Sequence, residues 1–405
     1  MTDAMPRELA DDLKKEAGDA MEEAVSVRRR IHADPELGLE LPHTQELVAD
    51  QLAAIGLKPV RGKDCSSLVA VLEGSREGPT TLLRADMDAL EMPEDTGLEF
   101  SSKKAGRMHA CGHDSHTAML LGAARILQGR REDLAGRVVL MFQPGEEGHD
   151  GAKVMIDEGL LAEHSPDRAF AIHISSMLPT GWLATKPGTL MASADEFHIH
   201  VTGRGGHASM PHDASDPVPV ACHIVTAIQS MVTRTIPAFD PAVVTVSTIH
   251  GGTATNVIPE SVTLGGTVRA VSDRSRDMVL TALAELCHNV AAAHGCTAKL
   301  VMEPHNYPVT VCNGSFAAHT LSVAKSLIGD IAVEMPTPVM GAEDWSYVLR
   351  EVRGSMAFLG GAPPGVDAPA PNHSNRFMID ESAMATGIAM YAAMALAAEP
   401  AAAPA

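Results

Sequence analysis

Aromatic side chains are scarce in this chain, at 3% of 405 residues, and Trp182 and Trp345 are its only tryptophans. Its core must be mostly Ala, Leu, Val, Ile and Met. Basic residues are also few: 31 Lys and Arg face 51 Asp and Glu, a net charge of −20. That field repels phosphate backbones and acidic lipid surfaces, so neither nucleic acid nor membrane is an expected partner. A small anionic substrate stays compatible, because a local site can oppose the global field. The six cysteines (Cys65, Cys111, Cys222, Cys287, Cys296 and Cys312) contain no CxxC pair. They make no disulfide framework, and a reducing cytoplasm is the expected home. No basic stretch feeding an apolar one opens the sequence, so no signal peptide is expected. The longest apolar stretch, residues 387–398, is too short to cross a bilayer and reads as a buried terminal helix. What is present, 45% hydrophobic and 20% charged residues, argues against disorder over the whole length and allows two or three domains.

Leu9, Leu13, Ala17, Ala20, Ala24, Val27 and Ile31 recur three or four apart and predict one opening helix over residues 6–31. A second helix is expected to end at Gly56. Apolar runs follow at SLVAVLEG, TTLLRADMDAL, RVVLMFQPGEEG and AFAIHIS, separated by helical stretches near 114–128 and 150–161. Runs divided by helices predict buried, mostly parallel strands, hence an α/β domain covered by helices. From residue 187 the pattern changes to alternating strands and two helices in the order β-α-β-β-α-β, a two-layer α+β sandwich. The expected organisation is a discontinuous catalytic domain (1–186 and 305–396), an inserted domain (187–304) and an Ala/Pro tail (397–405).

Chemistry-bearing residues gather where strands give way to loops, which is where open parallel sheets bind ligands. RADMDAL places Arg84, Asp86 and Asp88 at one strand end. MHACGHDSH places Cys111 and His113 in a loop entering a helix. QPGEEG places Glu146 and Glu147 after VVLMF, and AFAIHIS places His173 late in its strand. Cys111 and His113 can address one metal centre, which Glu147 and His173 could complete. In the Glu pair, one carboxylate can bind metal while its neighbour faces water as a general base, which amide hydrolysis requires. Each piece alone also has a bland reading. A lone Cys or His is commonly structural, a Glu-Glu pair is ordinarily solvated, and Asp86 and Asp88 could be satisfied by helix N-termini or by Arg84. The combination favours a metal hydrolase. One motif is a false match: residues 203–208 fit GxGxxA after a strand, but no helix opens there to meet a pyrophosphate, so nucleotide binding is rejected.

RADMDAL, MHACGHDSHTAMLLGAA, FQPGEEG, GRGGHASMPH, GGTATNVIP, GTVRA, GAEDWS and NHSNRF resemble, in order, the aminoacylase and carboxypeptidase family of dinuclear metallopeptidases. Within it, the pattern is most similar to hippurate hydrolases and to plant-type amidohydrolases that release auxin from amino-acid conjugates. The resemblance spans residues 28–391. It implies two divalent ions per subunit, zinc or manganese with nickel or cobalt as alternatives, and a homodimer whose inserted domain serves for dimerisation or as a lid. Assembly to a tetramer is left open. It also implies Cys111, His113, Glu147, His173 and His373 as metal ligands, Cys111 being the bridging thiolate. Glu146 matches the general base, and His207 an oxyanion-stabilising histidine that often comes from the partner subunit. Asn256, Arg269 and Gly341 match substrate contacts, Arg269 having the equal alternative of an ordinary strand-end arginine. Arg84 and Asp86 form a supporting shell. The expected activity is hydrolysis of N-acyl amino acids. The alternatives are a dipeptidase or carboxypeptidase, an N-acetyl-diaminopimelate deacetylase, or an inactive binding homologue, the last disfavoured because Glu146 and every matched ligand are present.

Overall fold

Strands Ala135–Gln143 and Arg168–Ser175 are apolar without alternation because both of their faces are covered. They belong to an eight-stranded sheet in the computed structural model, which describes residues 5–399. Across that sheet the strands run Val60–Arg61, Leu68–Glu73, Ala135–Gln143, Arg76–Asp86, Arg168–Ser175, Gly354–Gly360, Leu183–Thr185 and Ala332–Glu334. The four from Ala135–Gln143 to Gly354–Gly360 are mutually parallel. Their carboxyl ends lie level: Asp86 pairs with Gln143, and Ser175 with Gly360. The loops that leave the ends of Arg76–Asp86 and Ala135–Gln143 carry Asp88, Cys111, Glu146 and Glu147.

Chain contacts divide the molecule into two units. The first comprises the chain up to Leu190, Val311–Thr337 and the chain from Asp344; the second comprises Met191–Thr310 and Pro338–Glu343. The first unit's core joins its sheet to helices His113–Gly129 and Ala383–Leu396. These two helices approach at reciprocal glycines: a Cβ on Gly122 would press on Ile388, and one on Gly387 would collide with Met119 Sδ. The terminal helix is buried along nearly its whole length, as its apolar run predicts. Its Tyr391 hydroxyl donates to the Arg84 carbonyl at 2.7 Å and accepts from the Ile172 N–H at 3.2 Å, joining two of the parallel strands.

The second unit is an antiparallel sheet ordered Ala242–Gly251, Ser261–Ala270, Asp195–Thr202 and Thr297–Met302. Helices Pro217–Thr235 and Asp273–Ala293 share its core. Asp216 and Ser272 cap these helices by accepting from the Val218 and Ser275 N–H groups. The two-layer β-α-β-β-α-β order is the one the sequence predicts. The opening helix differs from expectation. It is two helices, Arg7–Asp19 and Met21–Ala33, with a turn at Ala20 that follows the poor helix formers Gly18 and Asp19. Residues 400–405 of the expected tail lie outside the described residues.

Candidate metal centre

Gly112 makes the Cys111–His113 spacing usable. Its φ of +100° lies in the left-handed region, and a Cβ there would run into Ile174. The chain can therefore turn sharply between the two side chains and start helix His113–Gly129 at once. Cys111 Sγ lies 3.3 Å from His173 Nε2 and 3.3 Å from His373 Nε2. His373 Nε2 is in turn 3.2 Å from Glu147 Oε1. Two potential ligand groups result, Cys111–His113–His173 and Cys111–Glu147–His373, with the sulfur common to both.

Backbone carbonyls fix two of the imidazoles. His113 Nδ1 donates to the Asp88 carbonyl at 2.9 Å, and His173 Nδ1 donates to the Ile174 carbonyl at 2.8 Å. A carbonyl only accepts, so each ring carries a proton on Nδ1 and, in its neutral form, turns the Nε2 lone pair into the cluster. His113 Nε2 is wholly buried and has no hydrogen-bond partner. That orphaned acceptor, among a thiol and carboxylates, is what a divalent cation would satisfy, and the donor set fits one. The site attracts positive charge: against its burial, the Asp86 carboxylate and then Cys111 hold His113 well above the usual imidazole range. Burial, then the Glu147 carboxylate, pushes the Cys111 thiol up, so a thiolate there needs nearby positive charge. Burial holds the His173 pKa well below the usual imidazole range. Its hydrogen bonds to Cys111 and Glu147 raise His373 to about 10.

Asp88 aligns the Glu pair. Its Oδ1 accepts from the Glu146 N–H and its Oδ2 from the Glu147 N–H, both at 3.0 Å. Glu146, buried, has its Oε2 3.9 Å from His113 Nε2. Of the bland alternatives for the two aspartates, Asp86 takes the arginine: Arg84 Nη1 meets Asp86 Oδ2 at 2.7 Å. Arg84 also donates to Gln143 and Asp344, and Asp344 accepts from the Ala152 N–H, so the aspartate of GAED is an internal brace. Asp86, His113 and His116 also cluster, but the guanidinium already neutralises that carboxylate. His116 bridges Asp86 Oδ1 at 2.6 Å and the Ile174 N–H at 2.8 Å.

The remaining predicted residues belong to the second unit. Ribbon Gly206–His207 pairs with Val257–Ile258, and the Ala208 N–H donates to the Asn256 carbonyl at 3.1 Å, so the fold joins His207 and Asn256 in one element. His207 Nδ1 accepts from the Ser209 N–H at 3.1 Å, which leaves the neutral ring's proton on Nε2. Arg269 sits late in strand Ser261–Ala270, and Gly341 lies in the Pro338–Glu343 return. Sequence reasoning missed the roles of Asp88, His116 and Asn372. Their signal is adjacency to motif residues; each has backbone partners that no side-chain pattern reveals, and His116 adds the Asp86 carboxylate.

A cysteine, three histidines and a glutamate pair at the carboxyl ends of a mostly parallel sheet define a metal-dependent hydrolase. The model of Peptidase family M20/M25/M40 matches residues 82–397, and the chain belongs to that family. It is 40% identical over 375 residues to IAA-amino acid hydrolase ILR1-like 2 of Arabidopsis thaliana, covering 92% of this chain and 84% of that one. It is 36% identical over 392 residues to thermostable carboxypeptidase 1 of Saccharolobus solfataricus, covering 96% and 98%. Among solved structures, the Bacillus subtilis YXEP protein, described as a dinuclear metal binding peptidase from the M20 family, superposes with a TM-score of 0.80. Identity there is 29%, over 94% of this chain and 98% of that one.

Proposed function

We propose that the chain is a homodimeric, cytoplasmic amidohydrolase that cleaves N-acyl amino acids to a carboxylic acid and a free amino acid. The observation that carries this reading is the shared sulfur: Cys111 lies 3.3 Å from imidazoles of two separate ligand groups. Cys111, His113 and His173 would hold one divalent ion, and Cys111, Glu147 and His373 the other. Thiolate and imidazole donors suit zinc, with manganese, nickel or cobalt as other occupants. Bound cations would make water easier to deprotonate and the amide carbonyl more electrophilic.

The chain's own groups then do the proton work. Glu146 takes the proton of the attacking water and returns it to the departing nitrogen as the C–N bond breaks. With its proton on Nε2, His207 acts as a donor to the carbonyl oxygen as negative charge builds there, and we assign it to the partner subunit's site. Asn256 makes a polar contact to the substrate, Arg269 and the Gly341 segment hold its carboxylate, and Arg84 and Asp86 support the ligands. The plant relative's name, an IAA-amino acid hydrolase, supports an amino-acid conjugate as substrate. The name of the archaeal relative supports a second reading, carboxypeptidase action on peptides.

Chelation should abolish hydrolysis, and a defined divalent ion should restore it, in a screen of N-acyl amino acids beside dipeptides. Full activity in a demonstrably metal-free sample would end this proposal. Restored cleavage of peptides but of no N-acyl amino acid would replace it with the second reading.

A further inference from the structure

Three of the proposed ligands sit on segments that the chain itself does not hold together. Cys111 precedes helix His113–Gly129, His173 lies in strand Arg168–Ser175, and His373 lies in the irregular chain between Gly360 and Ala383. His373 has φ at +66°, a left-handed conformation that a non-glycine residue keeps only when its surroundings enforce it. The neighbouring side chain supplies much of that enforcement. Asn372 Nδ2 donates to the Cys111 carbonyl at 2.9 Å and to the Ile174 carbonyl at 3.1 Å. Its Oδ1 accepts from the Ser176 N–H at 3.4 Å, and the His373 N–H donates to the Ala110 carbonyl at 2.8 Å.

We propose that Asn372 is a positioning residue: its side-chain amide fastens the Cys111, His173 and His373 segments into one ligand-bearing edge. A primary amide suits the task because it offers two donors to two carbonyls on different segments and an acceptor to a third group. An aspartate of the same shape would face both carbonyls with no proton to give.

The effect is unequal across the two ligand groups. His113 and His173 are also held by the Asp88 carbonyl, by the Ile174 carbonyl and by His116 at the Ile174 N–H. His373 belongs to no regular element and its side chain is 54% exposed. Loss of Asn372 therefore weakens the Cys111–Glu147–His373 position and spares the other.

This inference rests on the ligand set proposed above, and its test separates the two. Metal-free wild type, Asn372→Ala, Asn372→Asp and His373→Ala are titrated with cobalt(II), followed by calorimetry and by cobalt–thiolate absorption. Their metal-free melting temperatures are measured alongside. The wild type should take two equivalents. Asn372→Ala should keep the first and bind the second about 10–100-fold more weakly, the range expected when a ligand's outer support is removed. His373→Ala should lose the same equivalent, and Asn372→Asp should be weaker than Asn372→Ala. The metal-free melting temperature of Asn372→Ala should fall by no more than a few degrees, the cost of its partly buried hydrogen bonds. Wild-type binding of both equivalents in both Asn372 variants would overturn the inference while leaving the ligand set standing. So would equal weakening of both equivalents accompanied by a metal-free melting temperature lower by about 10 °C or more, the mark of a general structural role. A wild type that takes up no cobalt would overturn the ligand set itself.

Discussion

Glu146 and Glu147 hang from the same aspartate, one amide on each Asp88 oxygen, and both carboxylates come within 4.0 Å of His113 Nε2, but their other neighbours differ. Glu147 Oε1 meets His373 Nε2 at 3.2 Å, whereas Glu146 Oε2 stands 3.9 Å from His113 Nε2. Changing either to glutamine keeps its size and removes its charge, so the two variants should fail differently. Glu146→Gln should keep its metal and substrate affinity while kcat falls ~10²–10⁴-fold, because no base remains to take the proton. Glu147→Gln should instead lose metal occupancy. Metal analysis beside kcat decides, and the opposite pattern would exchange the two roles. Much of this cluster is legible in the sequence: Cys111 and His113 enter a patterned helix, the Glu pair follows an apolar run, and His173 lies late in another. His373 is not legible from spacing. It reaches Cys111 across 262 positions, and only the resemblance of NHSNRF supplied it. Asp88 showed itself as a strand-end carboxylate, but its partners are backbone amides whose direction only the folded chain defines.

Long, strongly patterned segments were readable as elements, and short ones were not. Strands Leu183–Thr185 and Ala332–Glu334 have three residues each, too few for a period to show. Nothing in the pattern of helix Gly314–Ile328 marks His319 as unusual. That imidazole is buried, has no hydrogen-bond partner on either nitrogen, and faces Arg168, Arg353 and Glu399, with the Phe316 ring 5.9 Å away. Burial, joined by the two arginines and opposed by Glu399, lowers its pKa to about 4. The folded state thus keeps His319 neutral where the unfolded chain, near 6.5, accepts a proton. Stability from this residue is complete above about pH 6.5 and drains away as pH falls towards 4, by ~3 kcal/mol at most. His319→Leu should flatten the fall in melting temperature over that window. An unchanged slope would show that other groups dominate acid lability.

At the scale of the whole molecule, our assignment of His207 to the partner's site makes an arithmetic prediction. Glu146→Gln and His207→Ala homodimers should each be nearly inactive. After subunit exchange, a mixed dimer has one site with both defects and one with neither. Random pairing makes roughly half the dimers mixed, so recovered activity should approach roughly a quarter of wild type. Verified mixed dimers that stay inactive would return His207 to its own subunit's site or make it structural. The division of the chain has a separate consequence, for biosynthesis. Strand Arg168–Ser175 must wait for its parallel neighbour Gly354–Gly360, and Tyr391 closes both ends of the Arg84 and Ile172 contacts only later. Nearly all of the second unit, Met191–Thr310, leaves the ribosome before either. Because domains tend to fold as units during synthesis, the inserted unit can be finished while the hydrolytic half is still an open sheet. Over roughly the last quarter of synthesis the nascent chain can therefore hold a folded inserted unit but no hydrolytic centre, and the newborn enzyme stays silent until its final helix docks.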